Sequence, residues 1–379
     1  MAQNRSAARG PRAARAVVMM DVARVAGVSQ KTVSRVVNGA AEVRPEVRAR
    51  VLRVIDELGY RRNGAARALV TSRTHVLGVV ALGSALYGPS RHVIAVERSA
   101  RNLGYGVVVV STEEGPTADV PAAIERALAL GAEGVVLIEP LFDVQEHLRL
   151  FETTPLVTAS PALSDAPRYS TVDTDEEQGA RLATEHLLDL GHANVSHIGG
   201  PVTWRSAVLR ERGWRTVLRA HGIKAPTPVL GDWTARSGYF GMQELLARGR
   251  RTTAVFCAND QMAMGAMRAL YEAGLRIPED FSVVGFDDLP ESEFQVVPLT
   301  TVRQNFDEIA RISVLRLIEI IERADRQEPA VTVPVTLVPR ASSGPPPKKR
   351  RLPGEATELV HRHTPRFDHH EAHNKGVTR

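Results

Sequence analysis

The chain has one cysteine in 379 residues, Cys257, so an intrachain disulfide is impossible. Its setting, the apolar run Thr253-Ala-Val-Phe-Cys-Ala258, predicts a buried thiol in a reducing compartment. Aromatic residues are scarce at 5%, so any core must be built from small aliphatic side chains. No stretch of about 18 consecutive apolar residues occurs, which excludes a helical membrane span and makes a membrane partner unexpected. Ala16 to Met20 is too short for a signal-peptide core and runs straight into Asp21, so no export signal is expected and the cytoplasm is the predicted location. Met19 or Met20 offers an alternative start of translation. Motifs of catalysis are missing too. There is no phosphate-cradling glycine loop with its lysine, no nucleophile elbow and no zinc-protease helix, and Gly104-Tyr-Gly106 lacks the third glycine of a dinucleotide fingerprint. These absences favour a binding protein over an enzyme, with no cofactor.

What is present is basic and segmented. The net charge is +5, concentrated in the first 75 residues and in Lys348 to Arg351, while the middle is nearly balanced. Nucleic acid is thus a candidate partner for the ends. Residues 1–17 read as a disordered basic arm, 18–60 as a small helical unit, 61–74 as a basic linker with weak helical character, 75–343 as a large core and 344–379 as a disordered tail. In the small unit, short helices are expected over Asp21 to Ala26, Ser29 to Val37 and Pro45 to Leu58, with Pro45 in a first turn and Gly59 as a C-terminal cap. After His75, buried strands alternate with amphipathic helices, starting with Val76 to Leu82, Val93 to Leu103 and Tyr105 to Ser111 and ending with the helix Phe306 to Arg323. That rhythm predicts an α/β fold with doubly wound parallel sheets, and the length suffices for two of them. The tail histidines His361, His363, His369, His370 and His373 have no cysteines or framework to fix a metal's geometry, so no metal site is expected there.

In Ser29 to Val37 the apolar Val33, Val36 and Val37 share one helical face, which leaves Gln30, Lys31, Ser34 and Arg35 on the other. Arg and Lys donate to guanine O6 and N7, Gln pairs with adenine, and the hydroxyls of Ser29, Thr32 and Ser34 suit phosphate. Gly27 supplies the tight turn between the first two helices, and Val28 closes the small core. The pattern alone also fits a three-helix packing module with a solvated polar face. However, the run Asp21-Val-Ala-Arg-Val-Ala-Gly-Val-Ser-Gln-Lys-Thr-Val-Ser-Arg-Val-Val-Asn-Gly39, followed by Val51-Leu and Glu57-Leu-Gly-Tyr60, resembles the DNA-binding headpiece of the lactose-repressor (LacI/GalR) family. The resemblance implies a helix-turn-helix in which Gln30, Lys31 and Arg35 read bases while Thr32, Ser34 and Asn38 hold the backbone. Likewise Asn63-Gly-Ala-Ala-Arg-Ala-Leu69 resembles the family's hinge helix, with Leu69 as a minor-groove wedge and Ala66 beside it. Gly64 weakens such a helix by about 1 kcal/mol, so its folding should depend on DNA and on a partner hinge; a plain flexible linker is the competing reading.

The stretch 75–341 resembles the family's two-lobed, periplasmic-binding-protein-like core. It implies an N-lobe of about 75–174 and 304–331, a C-lobe of about 175–303 and 332–343, and a ligand between them. Carried over by resemblance, Ser206, Arg210, Trp233, Asn259, Asp287 and Gln304 face the cleft, and the segment Leu86-Tyr-Gly-Pro-Ser90, read as a loop after the first core strand, contributes Leu86 and Ser90. An indole suits the C–H face of a pyranose, and the polar side chains supply paired donors and acceptors for ring hydroxyls. Singly, Trp233 also reads as a core aromatic, Arg210 as a helix-surface charge and Asp287 as a turn carboxylate. One departure stands out: where many sugar-binding members carry a carboxylate after the strand Pro155-Leu-Val-Thr158, this chain has Ala159-Ser-Pro-Ala-Leu163, with Asp165 displaced. The resemblance therefore implies a homodimeric repressor on a palindromic double-stranded operator, released by a small sugar, with a galactoside or glucoside favoured. A purine corepressor, or a sugar-binding module with incidental DNA affinity, stays open. Arg91 to Leu103 and Gly265 to Ala273 are expected dimer contacts, and a tail without leucine heptads predicts no four-chain assembly.

Overall fold

The computed structural model describes residues 17–37, 39, 42–61, 72–83, 86–112, 119–138, 154–159, 170–249, 252–323 and 329–348. Asn38, Ala66, Leu69 and Asp165 lie outside the described residues, as does the histidine-rich tail from 349. The chain divides into two compact units, Met1–Thr74 and His75–Arg379.

The first unit has three helices: α1 (Met19–Ala26), α2 (Gln30–Val37) and α3 (Pro45–Leu58). Helix α1 starts two residues before the expected Asp21, because the Asp21 carboxylate in its first turn accepts the Val18 N–H at 3.1 Å. Gly27, at φ 62°, ends the helix in the left-handed region that an L side chain enters only with strain. Ser29 lies just before α2, and its Oγ accepts the Thr32 N–H at 3.1 Å. Val22, Val33, Val36, Val51 and Val54 close the core, with Val28 and Val37 half-buried against it. Small aliphatic residues suffice because three short helices leave little space between their axes. Replacing Ser29 with Ala strips α2 of its cap, and we expect the isolated 1–74 unit to lose about 1 kcal/mol in a urea titration; an unchanged midpoint would mean the cap bond is not formed.

The second unit is an α/β structure of two lobes. The elements of its first lobe are β1 (Val76–Leu82), α4 (Tyr87–Asn102), β2 (Gly106–Thr112), α5 (Val120–Ala129), β3 (Val135–Ile138), β4 (Leu156–Thr158) and β5 (Ser170–Thr174). The second lobe follows with α6 (Glu176–Asp189), β6 (Ser196–Gly199), α7 (Arg205–Ala220), β7 (Val229–Leu230), α8 (Ala235–Ala247), β8 (Ala254–Cys257), α9 (Asp260–Glu272) and β9 (Ser282–Val284). The chain then runs through a 3-10 turn (Pro290–Glu293), β10 (Thr301–Arg303), α10 (Phe306–Arg323), β11 (Val331–Val333) and β12 (Thr336–Val338).

The N-lobe sheet is parallel throughout, in the order β2, β1, β3, β4, β5, β11. Alternation along β1 sends Leu77, Val79 and Ala81 to the face covered by α4 and α10, and Val80 to the face covered by α5. The C-lobe sheet, also parallel, runs β7, β6, β8, β9. Val255 and Cys257 pack toward α8 and α9, whereas Ala254 and Phe256 face α6 and α7. Burial pushes the Cys257 thiol pKa up, which leaves it inert. An antiparallel pair, β10 with β12, marks the return of the chain between lobes.

Several boundaries move from their expected places, each for a local reason. Helix α4 begins at Tyr87, so the expected loop Leu86 to Ser90 is largely its first turn; Pro89 fits there because a first-turn residue has no intrahelical acceptor for an N–H. Apolar periodicity predicts helices from Val208 and from Gly238; α7 starts instead at Arg205 and α8 at Ala235, the latter because Thr234 Oγ1 accepts the Ser237 N–H at 3.1 Å. Strand β11 pairs with β5 through Val333, so the last crossing between lobes comes after 333 and not 331. The core also extends past 343. Gly344 exchanges hydrogen bonds with Ser282, and its carbonyl accepts from His192 at 2.9 Å.

Helices α8 and α9 meet through glycines. A Cβ on Gly265 would lie 1.8 Å from the Ala235 carbonyl oxygen, and one on Gly238 would lie 2.1 Å from that of Met262. Both obstacles are backbone, so neither site yields without moving a helix. Gly265→Ala is expected to lower C-lobe stability by about 1–3 kcal/mol, read as the denaturation midpoint of the full chain; a neutral result would show that the helices can separate freely.

Candidate effector cleft and DNA-reading helix

In the small unit, α2 turns Val33 and Val36 inward and leaves Gln30, Lys31 and Arg35 exposed, with Thr32 and Ser34 half-buried at the margin. Arg35 lies 3.9 Å from the exposed Glu42 carboxylate, a loose surface pair that a phosphate or base edge can displace. Ser29 and Thr32 share a hydroxyl–hydroxyl bond of 2.9 Å in addition to the cap. One of their two protons is therefore committed and the other is available to an outside acceptor.

In the large unit a cavity partly open to solvent lies between the lobes. Its C-lobe wall carries Glu176, Trp204, Ser206, Arg210, Trp233, Asn259, Gln261 and Asp287. Arg210 is the centre of this wall and is 4% exposed, so it is no surface charge. Its Nε donates to Glu176 Oε2 at 2.6 Å, one Nη donates to the Ala258 carbonyl, and the other lies 3.5 Å from Asp287 Oδ1. The guanidinium also stacks on Phe286, 3.8 Å from the ring centroid. Asp287 accepts from Gln304 Nε2 at 2.6 Å. Its backbone is held at φ 102° by the bond from its N–H to the Val302 carbonyl. Burial raises the Asp287 pKa to about 6, against the pull of Arg210. Behind it, burial raises Asp260 to about 7, although that carboxylate accepts from Ser292, Thr301 and the Leu289 N–H.

Trp233 sits at φ 73° and packs against Trp204, their ring centroids 5.3 Å apart. The indole comes so close to Gly200 that a Cβ there would meet it at 2.4 Å. Its Nε1 is buried without a hydrogen-bond partner. Asn259 holds this tryptophan in place: Nδ2 donates to the Trp233 carbonyl at 3.0 Å while Oδ1 caps α9 by accepting the Met262 N–H at 2.9 Å. The amide therefore works mainly as a brace behind the indole.

The structure thus brings Leu86, Ser206, Arg210, Trp233, Asn259, Asp287 and Gln304 to one cavity, whose lining does not include Ser90. Once Leu86 to Ser90 becomes the cap and first turn of α4, Leu86, Tyr87, Gly88 and Pro89 face the cavity together with His92 of the next turn. Ala159 lines the wall at the place where the resemblance puts a carboxylate in many sugar-binding members. Sequence reading missed Glu176, Trp204, Gln261, His92 and Phe306. Glu176 follows the cap Asp175 and has the signature of an ordinary acidic first turn; only Arg210, 34 residues away, makes it a buried partner. Phe306 lies two residues beyond Gln304 and was readable as the start of α10, but not as a cleft residue.

Residues 18–63 match the bacterial regulatory proteins of the lacI family, and residues 184–343 match the periplasmic binding protein-like domain. The lactose operon repressor of Escherichia coli K12 is 37% identical over 86% of this chain and 91% of its own length. The ribose operon repressor of the same strain is 33% identical over 86% and 99%. The HTH-type repressor PurR of Pasteurella multocida is 32% identical over 85% and 97%. Among solved structures, the lac repressor dimer bound to operator and the anti-inducer ONPF superposes with a TM-score of 0.78, at 36% identity over 87% of this chain and all of that one. A complex of the transcriptional regulator CelR with cellobiose reaches 0.64, at 30% identity over 86% and 100%.

Proposed function

Because this chain belongs to the lacI family of bacterial regulatory proteins, we propose that its cleft takes a small sugar, a glycoside with a galactosyl or glucosyl part, and that sugar binding releases it from a palindromic operator. It is a DNA-binding transcriptional repressor governed by a small-molecule effector, and not an enzyme. The observation that carries the sugar reading is the pairing of Trp233 with the Arg210–Asp287–Gln304 cluster on the cleft: an indole for a pyranose face beside aligned donors and acceptors for its hydroxyls. Lactose, cellobiose and ribose systems among the relatives support it, while the PurR relatives make a purine the rival.

On this reading Gln30, Lys31 and Arg35 enter the major groove, Thr32, Ser34 and Asn38 hold phosphates, and Leu69 with Ala66 wedges the minor groove between half-sites. The repressor works as a cytoplasmic homodimer, since two-fold symmetry matches a palindrome. Exposed Ile94 on α4 and Tyr271 on α9 support dimer contacts through those helices. For induction the sugar must bind the DNA-free form more tightly than the DNA-bound form; equal affinities shift nothing. Among the described residues no helix is long and apolar enough to cross a membrane. The test is fluorescence anisotropy on a palindromic operator at fixed salt, titrated with galactosides, glucosides, pentoses and purines. Release by one glycoside supports the reading, whereas tight operator binding indifferent to every sugar sinks it.

A further inference from the structure

The two walls of the cleft differ in chemistry. The C-lobe side is polar, with Glu176, Ser206, Arg210, Gln261 and Asp287. The N-lobe side is mostly apolar, with Leu86, Pro89, Ile138, Ala159 and Phe306, so a molecule with hydroxyls all round would press some of them against hydrocarbon. The polar side chains on that side are Tyr87, His92 and Gln304; Gln304 is committed to Asp287, and of the three only His92 carries a buried polar atom without a partner. His92, in the second turn of α4, lines the cavity, and its ring meets Phe306 edge-on with centroids 4.8 Å apart and planes at 82°. Its Nε2 is buried without a hydrogen-bond partner.

An orphaned ring nitrogen is not by itself a site, as His197 shows. That imidazole also has an unpartnered Nε2, but it is stacked between Trp214 and Phe256 inside the C-lobe core, where no ligand arrives. His92 differs in lining the cavity. Burial and the neighbouring Arg91 hold its pKa down to about 4, so at neutral pH the ring is uncharged and offers either one N–H or one lone pair at Nε2. Leaving such an atom unpaired is costly, and a ligand atom that pairs with it recovers that cost.

We propose that His92 is a specificity-determining residue of the N-lobe wall, its imidazole Nε2 hydrogen-bonding one oxygen in the mostly apolar half of the effector that faces this lobe. This rests on the sugar reading of the cleft. It narrows the effector to a glycoside whose sugar ring lies on the polar wall and whose aglycone is mostly apolar, with one oxygen within reach of α4.

The test is operator release by the full chain, for wild type, His92→Ile and His92→Gln, titrated with phenyl and methyl β-D-galactosides and β-D-glucosides, lactose, cellobiose, D-galactose and hypoxanthine. Melting temperature and operator affinity are recorded for each variant as the check on folding. The expected result is that the responding glycoside needs about tenfold more to release His92→Ile, and that His92→Gln, which keeps a hydrogen-bonding group there, recovers most of the loss. A purely packing role would instead favour Ile over Gln. If a glycoside releases all three proteins at the same concentration, the assignment of His92 fails and the sugar reading stands. Should hypoxanthine alone act, the sugar reading falls and the assignment falls with it. No response to any compound overturns both.

Discussion

Arg35→Ala is expected to abolish specific operator binding while the cleft keeps its ligand. Arg35 is the one guanidinium on the exposed face of α2, and its only partner among the described residues is the loose contact with Glu42. A bidentate contact to a guanine is worth about 1–3 kcal/mol. A symmetric dimer loses two such contacts, so operator affinity should fall by about 10²-fold or more, with the remaining binding nonspecific and salt-dependent. Anisotropy on operator and scrambled duplexes reads the first effect, and calorimetric titration of the effector the second. Equal weakening on both duplexes would assign Arg35 to phosphate; an unchanged operator affinity would remove it from the interface altogether.

Arg210→Ala has a double consequence that its place in the structure forces. Read from sequence as a cleft residue or a helix-surface charge, Arg210 carries no expected cost to stability. The buried guanidinium, however, also neutralises Glu176 and Asp287 and satisfies the Ala258 carbonyl. Removing it leaves two buried carboxylates without their cation, a loss of about 3–5 kcal/mol. We therefore expect a lower denaturation midpoint together with complete loss of the effector response at temperatures where the chain is still folded. Asp287→Asn in the same chain should recover part of the stability, because it removes one uncompensated charge, and should not restore the response. If Arg210→Ala melts like the wild type, the carboxylates are not held by this guanidinium. Trp233→Ala complements the experiment: it removes the indole and leaves the charge cluster, so it should lose the response with operator binding kept.

The small unit was legible almost residue by residue because its determinants are local. Valines at helical spacing, Pro45, and glycines at 27 and 59 act within one or two turns, and the resemblance to the lacI headpiece ran along one uninterrupted segment. What was misplaced there was the start of α1, set by the Asp21 carboxylate reaching back to Val18. The core was legible in class and rhythm, since apolar runs alternating with amphipathic helices have few architectures open to them. Its helix starts were less so. Leu86 to Ser90 carries glycine and proline and reads as a loop, yet a proline in a first turn costs a helix nothing.

The sequence by itself determined the family, the α/β class, the helix that faces outward with Gln30, Lys31 and Arg35, and the residue types available for a ligand. Those follow from periodicity and from contiguous motifs, which are properties of neighbours along the chain. Tertiary structure alone decided which of those residues share a cavity, that Asn259 braces Trp233, that Glu176 is the buried partner of Arg210, that Ser90 stays out of the lining while His92 enters it, and that Gly344 belongs to the core. Each of these is a meeting between segments far apart in sequence, or a half-turn of helix phase set by where a helix begins, and one polar side chain looks like another until packing decides whether water or a partner satisfies it.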